Sequence, residues 1–345
     1  MTILGLAVIL LAVLAAPFLF KRIEENLEPF LLAMGIAAVS VSRQWSEHLF
    51  REALVEPIKI TLAVLIAGVL FRAVRDHLGK TIQAIIQRVG LRLFVFLLVF
   101  VLGVLSSVIT AIIAALLLVE IVSHLKLNSA SETRLVIIAC YSIGLGAALT
   151  PIGEPLATIA IAKLKDAPHQ AGFFFLTQLL GIWVILGILA LSLLAIRFYG
   201  HLIHGRETTL TEDRPENLID VMIRSGKVYF FVMALVLLGA GFTPIVDAYL
   251  VRVPISALYW INIISAIVDN ATVTAAEISP KMDASYIRFL LMGLLISGGM
   301  LIPGNIPNII AAGKLKISSR SWARFGVPLG AILMLVYFLA LIVLS

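Results

Sequence analysis

Apolar residues along this chain come in membrane-length blocks, and some of the blocks are broken inside by polar and helix-breaking positions. The runs Thr2–Phe20, Pro57–Phe71, Gly172–Phe198, Val228–Asp247 and Phe325–Leu344 predict spanning helices, since about 20 apolar residues cross a bilayer. Pro29–Val41 predicts a shorter apolar helix. Arg134–Ala162 and Ile287–Ala312 are also membrane-length but carry internal breaks. Leu93–Leu125 and Pro254–Ser279 each fold back at a polar break, around Ser106–Thr110 and around Asp269-Asn270. Their arms are too short to cross twice in full, which predicts two re-entrant hairpins.

The breaks match in pairs. Gly144-Leu145-Gly146-Ala147-Ala148-Leu149-Thr150-Pro151-Ile152-Gly153-Glu154-Pro155 interrupts one span. Ser297-Gly298-Gly299-Met300-Leu301-Ile302-Pro303-Gly304-Asn305-Ile306-Pro307-Asn308 interrupts the other. Pro151 and Pro155 match Pro303 and Pro307 in spacing, and two prolines four apart do not sit in an unbroken helix. Gly153 and Gly304 add backbone freedom at the same places. Irregular backbone survives at membrane depth only where protein or a wet cavity surrounds it. Broken segments at corresponding positions of two halves point to a transporter binding site.

Composition agrees with the spans. The 345 residues are 61% hydrophobic and 13% charged, against about 25% charged in soluble domains. The formal net charge of +6 sits in loops, so it reads as basic connections facing an anionic leaflet and not as a nucleic-acid surface. Cys140 is the only cysteine, which excludes an intrachain disulfide. His201 and His204 have a metal-ligand spacing but no third partner, and read as a solvated helix end. Lys21 and Arg22 follow the first apolar run instead of preceding it. That order predicts a retained span with its N-terminus outside and no cleaved signal.

Loop charge orients the rest. Arg72, Arg75, Lys80, Arg88 and Arg92 form one basic connection, Arg197, Arg206, Arg214, Arg224 and Lys227 a second, and Lys314, Lys316, Arg320 and Arg324 a third. With both hairpins returning to the side they entered from, all three connections share a face, which the positive-inside rule makes cytoplasmic. The two halves are then related by inversion. The predicted organisation is an all-α integral membrane protein, an inverted-repeat secondary transporter with two re-entrant hairpins and two discontinuous helices. Residues 1–92 are N-terminal scaffold spans and 93–199 the first repeat core. Residues 200–227 are a cytoplasmic linker ending in an interfacial helix, and 228–345 the second repeat.

Ionisable residues at membrane depth are costly and are functional candidates. Asp269, beside Asn270, Thr272 and Ser265, offers hard oxygens to a small cation at a helix break. The bland reading makes it a cap of the second arm, and both roles are compatible. Glu154 in Thr150-Pro151-Ile152-Gly153-Glu154-Pro155 reads as a site residue or as the cap of the second half-helix. Asn305 and Asn308 read as donors to an anion, oxygens for a cation, or amides satisfying broken backbone. Ser107 and Thr110 line the first hairpin break. Glu277 and Glu120, on the second arms, read as members of a proton path or as residues near the headgroups. There is no Walker loop, nucleophile elbow or metalloprotease helix. No histidine lies beside the break serines, which argues against a membrane hydrolase, and a passive channel would not need the paired proline breaks.

Ser265-Ala266-Ile267-Val268-Asp269-Asn270 resembles the hairpin signature of NhaD-type antiporters. Thr150-Pro151-Ile152-Gly153-Glu154-Pro155 and the Gly-Gly run ending at Asn305 resemble the two helix-break motifs of the same ion transporter superfamily, which also holds ArsB-type arsenite and dicarboxylate carriers. The similarity covers roughly Leu93 to Phe325. It implies secondary transport without a cofactor, a transport domain beside a scaffold that often dimerises, and a prokaryotic cytoplasmic (inner) membrane surrounded by lipid. The first hairpin has Ser106, Ser107 and Thr110 where dicarboxylate carriers have Ser-Asn-Thr, and neither break holds Arg or Lys. The expected function is therefore sodium/proton antiport, with Na+ (or another monovalent cation) and H+ competing for one buried carboxylate, Asp269. The alternative is a cation-coupled carrier of a small anion or oxyacid. No enzymatic activity and no resident metal are expected, and the partners are lipid, a small inorganic ion and a second copy of the chain.

Overall fold

A computed structural model describes residues 2–20, 22, 23, 26–55, 57, 58, 61, 62, 65, 66, 69, 85–125, 127–198, 218–245, 254–267, 270–278, 280 and 282–344. Among the described residues all regular structure is helical. Most of the Pro57–Phe71 span, the basic stretch from Arg72 to Lys80, His201, His204 and most of the linker lie outside them.

The helices are α1 (Thr2–Leu19), α2 (Leu27–Ser42), α3 (Leu91–Ile109), α4 (Ala111–Ser123), α5 (Ser129–Ala147), α6 (Pro155–Lys163) and α7 (Phe175–Phe198). The second half holds α8 (Leu218–Ile245), α9 (Ile255–Ile261), α10 (Asn270–Glu277), α11 (Ala284–Ser297), α12 (Ile306–Lys314) and α13 (Ser319–Leu344). Four helical stretches among the described residues are long and apolar enough to cross a membrane: Leu91–Ile109, Phe175–Arg197, Val221–Phe242 and Ser319–Leu344. With no water in the bilayer core, backbone polar groups must be satisfied inside the segment, which is why apolar stretches of this length are helical.

The predicted breaks are real. Arg134–Ala162 is two helices, α5 and α6, and Ile287–Ala312 is two helices, α11 and α12, with a short 3-10 turn at Ile302–Gly304 between them. Leu93–Leu125 is α3 and α4 meeting at Thr110. Its first arm reaches spanning length and its second, of 13 residues, does not, at about 1.5 Å per residue. Pro254–Ser279 is α9, a 3-10 turn at Asn262–Ala266, and α10.

One boundary differs from expectation. The predicted interfacial helix and the span after it are a single helix, α8, which runs unbroken through residues 227 and 228. Val221 and Ser225 are buried, and the Ser225 hydroxyl donates to the Val221 carbonyl one turn back. That buried face belongs to an amphipathic first stretch of the helix, which continues directly into the span.

Packing separates a scaffold from a core. α2 lies closely against α8: Gly35 meets Ala234, Leu237 and Leu238, and Gly241 meets Ala38 and Val39. Small residues let two apolar helices approach backbone to backbone. α1 packs on α2, and this group touches the rest through α8 against α10, α1 against α13, and Val228 of α8 against Ile112, Ala115, Leu116 and Ile310. In the core, α3, α5 and α7 pack mutually, while α11 packs on α9 and α13. The halves are interlocked. The half-helix α12 lies on α4 of the first half, and the half-helix α6 lies on α10 of the second.

Candidate functional site

The first break begins where α5 ends at Ala147. Glu154 then adopts an extended conformation (φ −155°, ψ 160°), and Pro155 opens α6. Proline suits that position because its missing N–H has no helical partner there anyway. Two hydrogen bonds tie this break to the tip between α3 and α4. The Ala111 N–H donates to the Gly153 carbonyl at 2.9 Å, and the Thr150 hydroxyl donates to the Ser107 carbonyl. The tip bends at a single residue, Thr110, with φ 76° and ψ 150°. A β-branched residue at positive φ is strained and persists only where its surroundings hold it; the Ala111–Gly153 bond at the next residue does so here.

The second break repeats this plan. α11 ends at Ser297, Asn305 is extended (φ −153°, ψ 143°), and a proline sits in the first turn of α12. A β-carbon on Gly304 would lie 2.6 Å from the Gly298 carbonyl oxygen and 2.8 Å from those of Ser265 and Ala266. Gly153 backs in the same way onto the Ala147 carbonyl. Only glycine allows such close backbone approach. The Ser106 hydroxyl donates to the Ile143 carbonyl at 2.9 Å, and the Ser265 hydroxyl donates to the Leu294 carbonyl at 3.3 Å. Lys163 and Lys314 end the two half-helices. Each reaches the other half: Lys314 Nζ lies 3.9 Å from Glu120 Oε2, and Lys163 Nζ lies 3.5 Å from the Ile278 carbonyl.

Matched backbone carries unmatched side chains. Aligning Ser106 with Ser265 sets Gly103 against Asn262, Ala111 against Asn270, Ala115 against Thr274 and Leu118 against Glu277. Aligning Gly153 with Gly304 sets Gly146 against Ser297 and Ala157 against Asn308. At every one of these positions the first half is apolar or glycine and the second half is polar. All six polar residues are buried. The Ser297 hydroxyl bridges the Asn262 carbonyl at 2.7 Å and the Ser265 hydroxyl at 2.6 Å. The Asn308 amide donates to the carbonyls of Gly298 and Leu301, each at 2.9 Å.

Several of these polar atoms have no partner. They are Asn262 Oδ1, both amide atoms of Asn270, Thr274 Oγ1, both carboxyl oxygens of Glu277, and Asn308 Oδ1. Buried polar groups in folded proteins are nearly always satisfied, so a cluster of exceptions asks for a physical explanation. Asn270, Thr274 and Glu277 recur at helical spacing along one face of α10. Asn262 stands beside that face, its amide turned toward the Glu277 carboxyl.

The predicted residues divide as follows. Ser265, Asn270, Asn305 and Asn308 gather at the second break, with the Asn270 amide packed on Gly298 and the Asn305 amide packed across the halves on Gly144. Asp269 lies outside the described residues, as does the side chain of Thr272, a residue of α10. Thr150, Ser107 and Thr110 sit at the first break. Ser107 donates to the Val104 carbonyl at 2.8 Å, and Thr110 accepts from the Ile113 N–H at 3.4 Å. Glu154 is buried at the start of α6 but makes no side-chain cap, so the capping reading does not describe it. Asn308 does satisfy broken backbone, with its nitrogen only. Glu120 meets Lys314 away from the breaks. Pro151, Pro155, Pro303 and Pro307 all fall in the break segments or the first turns after them. Sequence reasoning did not single out Asn262, Thr274 or Ser297. The available signal was the polar spacing Asn270–Thr274–Glu277 within an otherwise apolar stretch.

Fold and site together define a membrane protein, helical throughout its described residues, with two broken helices packed around a buried polar cluster. The chain belongs to the family described as Protein of unknown function (DUF1646), which matches residues 3–344. No curated protein matches it.

Proposed function

We propose that the chain is a secondary active ion transporter, a sodium/proton antiporter in which Na+ and H+ compete for the carboxylate of Asp269. The observation that carries this reading is the polar excess of the second break. Asn270 follows Asp269 directly in the chain, and its buried amide has no hydrogen-bond partner. Two carbonyls that Gly304 approaches, those of Ser265 and Ala266, belong to the same tip. A carboxylate among amide, hydroxyl and carbonyl oxygens suits a small hard cation, and out of water it carries a proton when no cation is present.

In this reading the halves are inverted repeats, the segments α3–α4 and α9–α10 are re-entrant, and the interlock of α6 with α10 and of α12 with α4 moves as one body against the α1–α2–α8 scaffold. The membrane is the prokaryotic inner membrane, the N-terminus lies outside, and the protein is a homodimer. The resemblance of the break motifs to NhaD-type antiporters supports the same assignment.

The test is proton flux in proteoliposomes, followed by a lumenal pH dye after a Na+ pulse. Wild type should move protons against Na+, and Asp269→Asn should not. Flux equal to that of empty vesicles, or full activity in Asp269→Asn, would sink the proposal.

A second reading rests on Asn305, which opens α12 without capping it. A half-helix N-terminus left open in this way suits an anion. Na+-dependent uptake of a labelled small oxyanion, with no proton counterflux, would favour that reading over antiport.

A further inference from the structure

Glu277 lies seven residues after Asn270 on α10, about 10 Å along the helix axis, and it stands apart from the break itself. It is 5% exposed, and Asn262 and Thr274 are fully buried. Apart from the Asn262 amide that faces it, the Glu277 carboxyl has no hydrogen-bond partner among the described residues, and neither do the amide oxygen of Asn262 and the hydroxyl oxygen of Thr274. Thr274 is one helical turn before Glu277 on the same face. The Asn262 amide faces the Glu277 carboxyl from the adjoining 3-10 turn. Its nitrogen donates one N–H to the Leu290 carbonyl at 3.3 Å and turns the other toward the Glu277 carboxyl, which leaves its oxygen unpartnered.

These are oxygens of three hard-donor types with one negative charge among them. Among the described residues no lysine, arginine or histidine pairs with Glu277. A buried carboxyl without a charged partner holds either a proton or a cation, and the neutral oxygens gathered beside it suit a cation. The fold does not require polar groups on the second arm, because the helical positions matching Thr274 and Glu277 in the first half are the buried Ala115 and Leu118. One carboxylate balances one positive charge, which selects a monovalent cation over a divalent one.

We propose that Glu277, Thr274 and Asn262 form a binding site for a small monovalent cation of the Na+ class, separate from the Asp269 break. The choice of Na+ rests on the antiport reading; the existence of the site does not. In the same reading, the unpartnered atoms of Asn270 continue the line of oxygens from Glu277 toward the break, so the site stands on a route into it.

The test is binding of 22Na+ to the purified full-length protein by equilibrium dialysis, with choline as the balancing ion. Glu277→Gln and the near-isosteric Thr274→Val should each weaken one class of Na+ binding about tenfold or more. Asp269→Asn should leave that class in place. The melting temperature should rise on replacing choline with Na+, and this rise should shrink in Thr274→Val. That measurement reads the site even where Glu277→Gln folds poorly. Unchanged Na+ binding in both Glu277→Gln and Thr274→Val overturns the site. Loss of binding in these variants alongside absent proton flux in wild type keeps the site and removes the antiport reading.

Discussion

Lys314 Nζ lies 3.9 Å from Glu120 Oε2, with both side chains nearly out of solvent, so a charge on the second half-helix is met by a charge on the first half. Removing one member of a buried pair typically costs about 3–5 kcal/mol, whereas replacing both with apolar groups is often neutral. Lys314→Met should therefore lower the melting temperature in detergent by more than the double variant Lys314→Met/Glu120→Leu. Additive losses in a double-mutant cycle would show that the two charges do not act on each other.

Gly304 separates structural from functional effects at the second break. Its β-carbon would press on three carbonyl oxygens within 2.8 Å, and backbone cannot give way as a flexible side chain can. Gly304→Ala should destabilise by about 1–3 kcal/mol through overpacking and should reduce transport with it. Gly313, in α12, has open space where a β-carbon would go. Gly313→Ala should stabilise the helix by about 1 kcal/mol. Thermal melts of the two variants should move in opposite directions, and equal shifts would mean that the close approach at Gly304 is not what holds the tip.

Asn308 is divided between two tasks. Its nitrogen donates to the carbonyls of Gly298 and Leu301, while its oxygen has no partner. Asn308→Asp keeps the shape and replaces the donor with an acceptor facing two carbonyls. Leaving buried acceptors unmet costs about 1–3 kcal/mol each. Asn308→Asp should thus be less stable than Asn308→Ala, which loses the bonds without adding repulsion. A stable Asn308→Asp would place the nitrogen elsewhere.

Much of the architecture was legible in the sequence because proline and glycine act locally. Pro151, Pro155, Pro303 and Pro307 end or open helices whatever surrounds them, and the breaks fall where they stand. The continuity of α8 was not legible. Its first turns read as an interfacial helix separate from the span, and the two are one helix with Val221 and Ser225 buried. The polar cluster was half legible. Asn270, Ser297, Asn305 and Asn308 stand beside prolines, glycines or Asp269, but Asn262 and Thr274 sit in apolar stretches, and a small polar residue ordinarily bonds its own backbone. Ser192 does that, donating to Ile188 at 2.7 Å. Ser297 does so too, at 2.7 Å from the Gly293 carbonyl, and only the structure shows that it also bridges the tip at Asn262 and Ser265.

Asn270 gives the sharpest test of whether the polar excess is the site. Its counterpart Ala111 fills the equivalent position of the first half without any polar atom, so the backbone accepts alanine there. Both amide atoms of Asn270 are buried and unpartnered, and removing an unmet buried polar group relieves a cost of about 1–3 kcal/mol. Asn270→Ala should then melt no lower than wild type, the opposite of the usual result for a buried large-to-small change. If the amide serves the ion, Na+-driven proton flux should fall about tenfold or more while the protein stays folded, the trade of function for stability expected at a binding site. A variant both less stable and fully active would make Asn270 a packing residue and move the search for the ion away from this break.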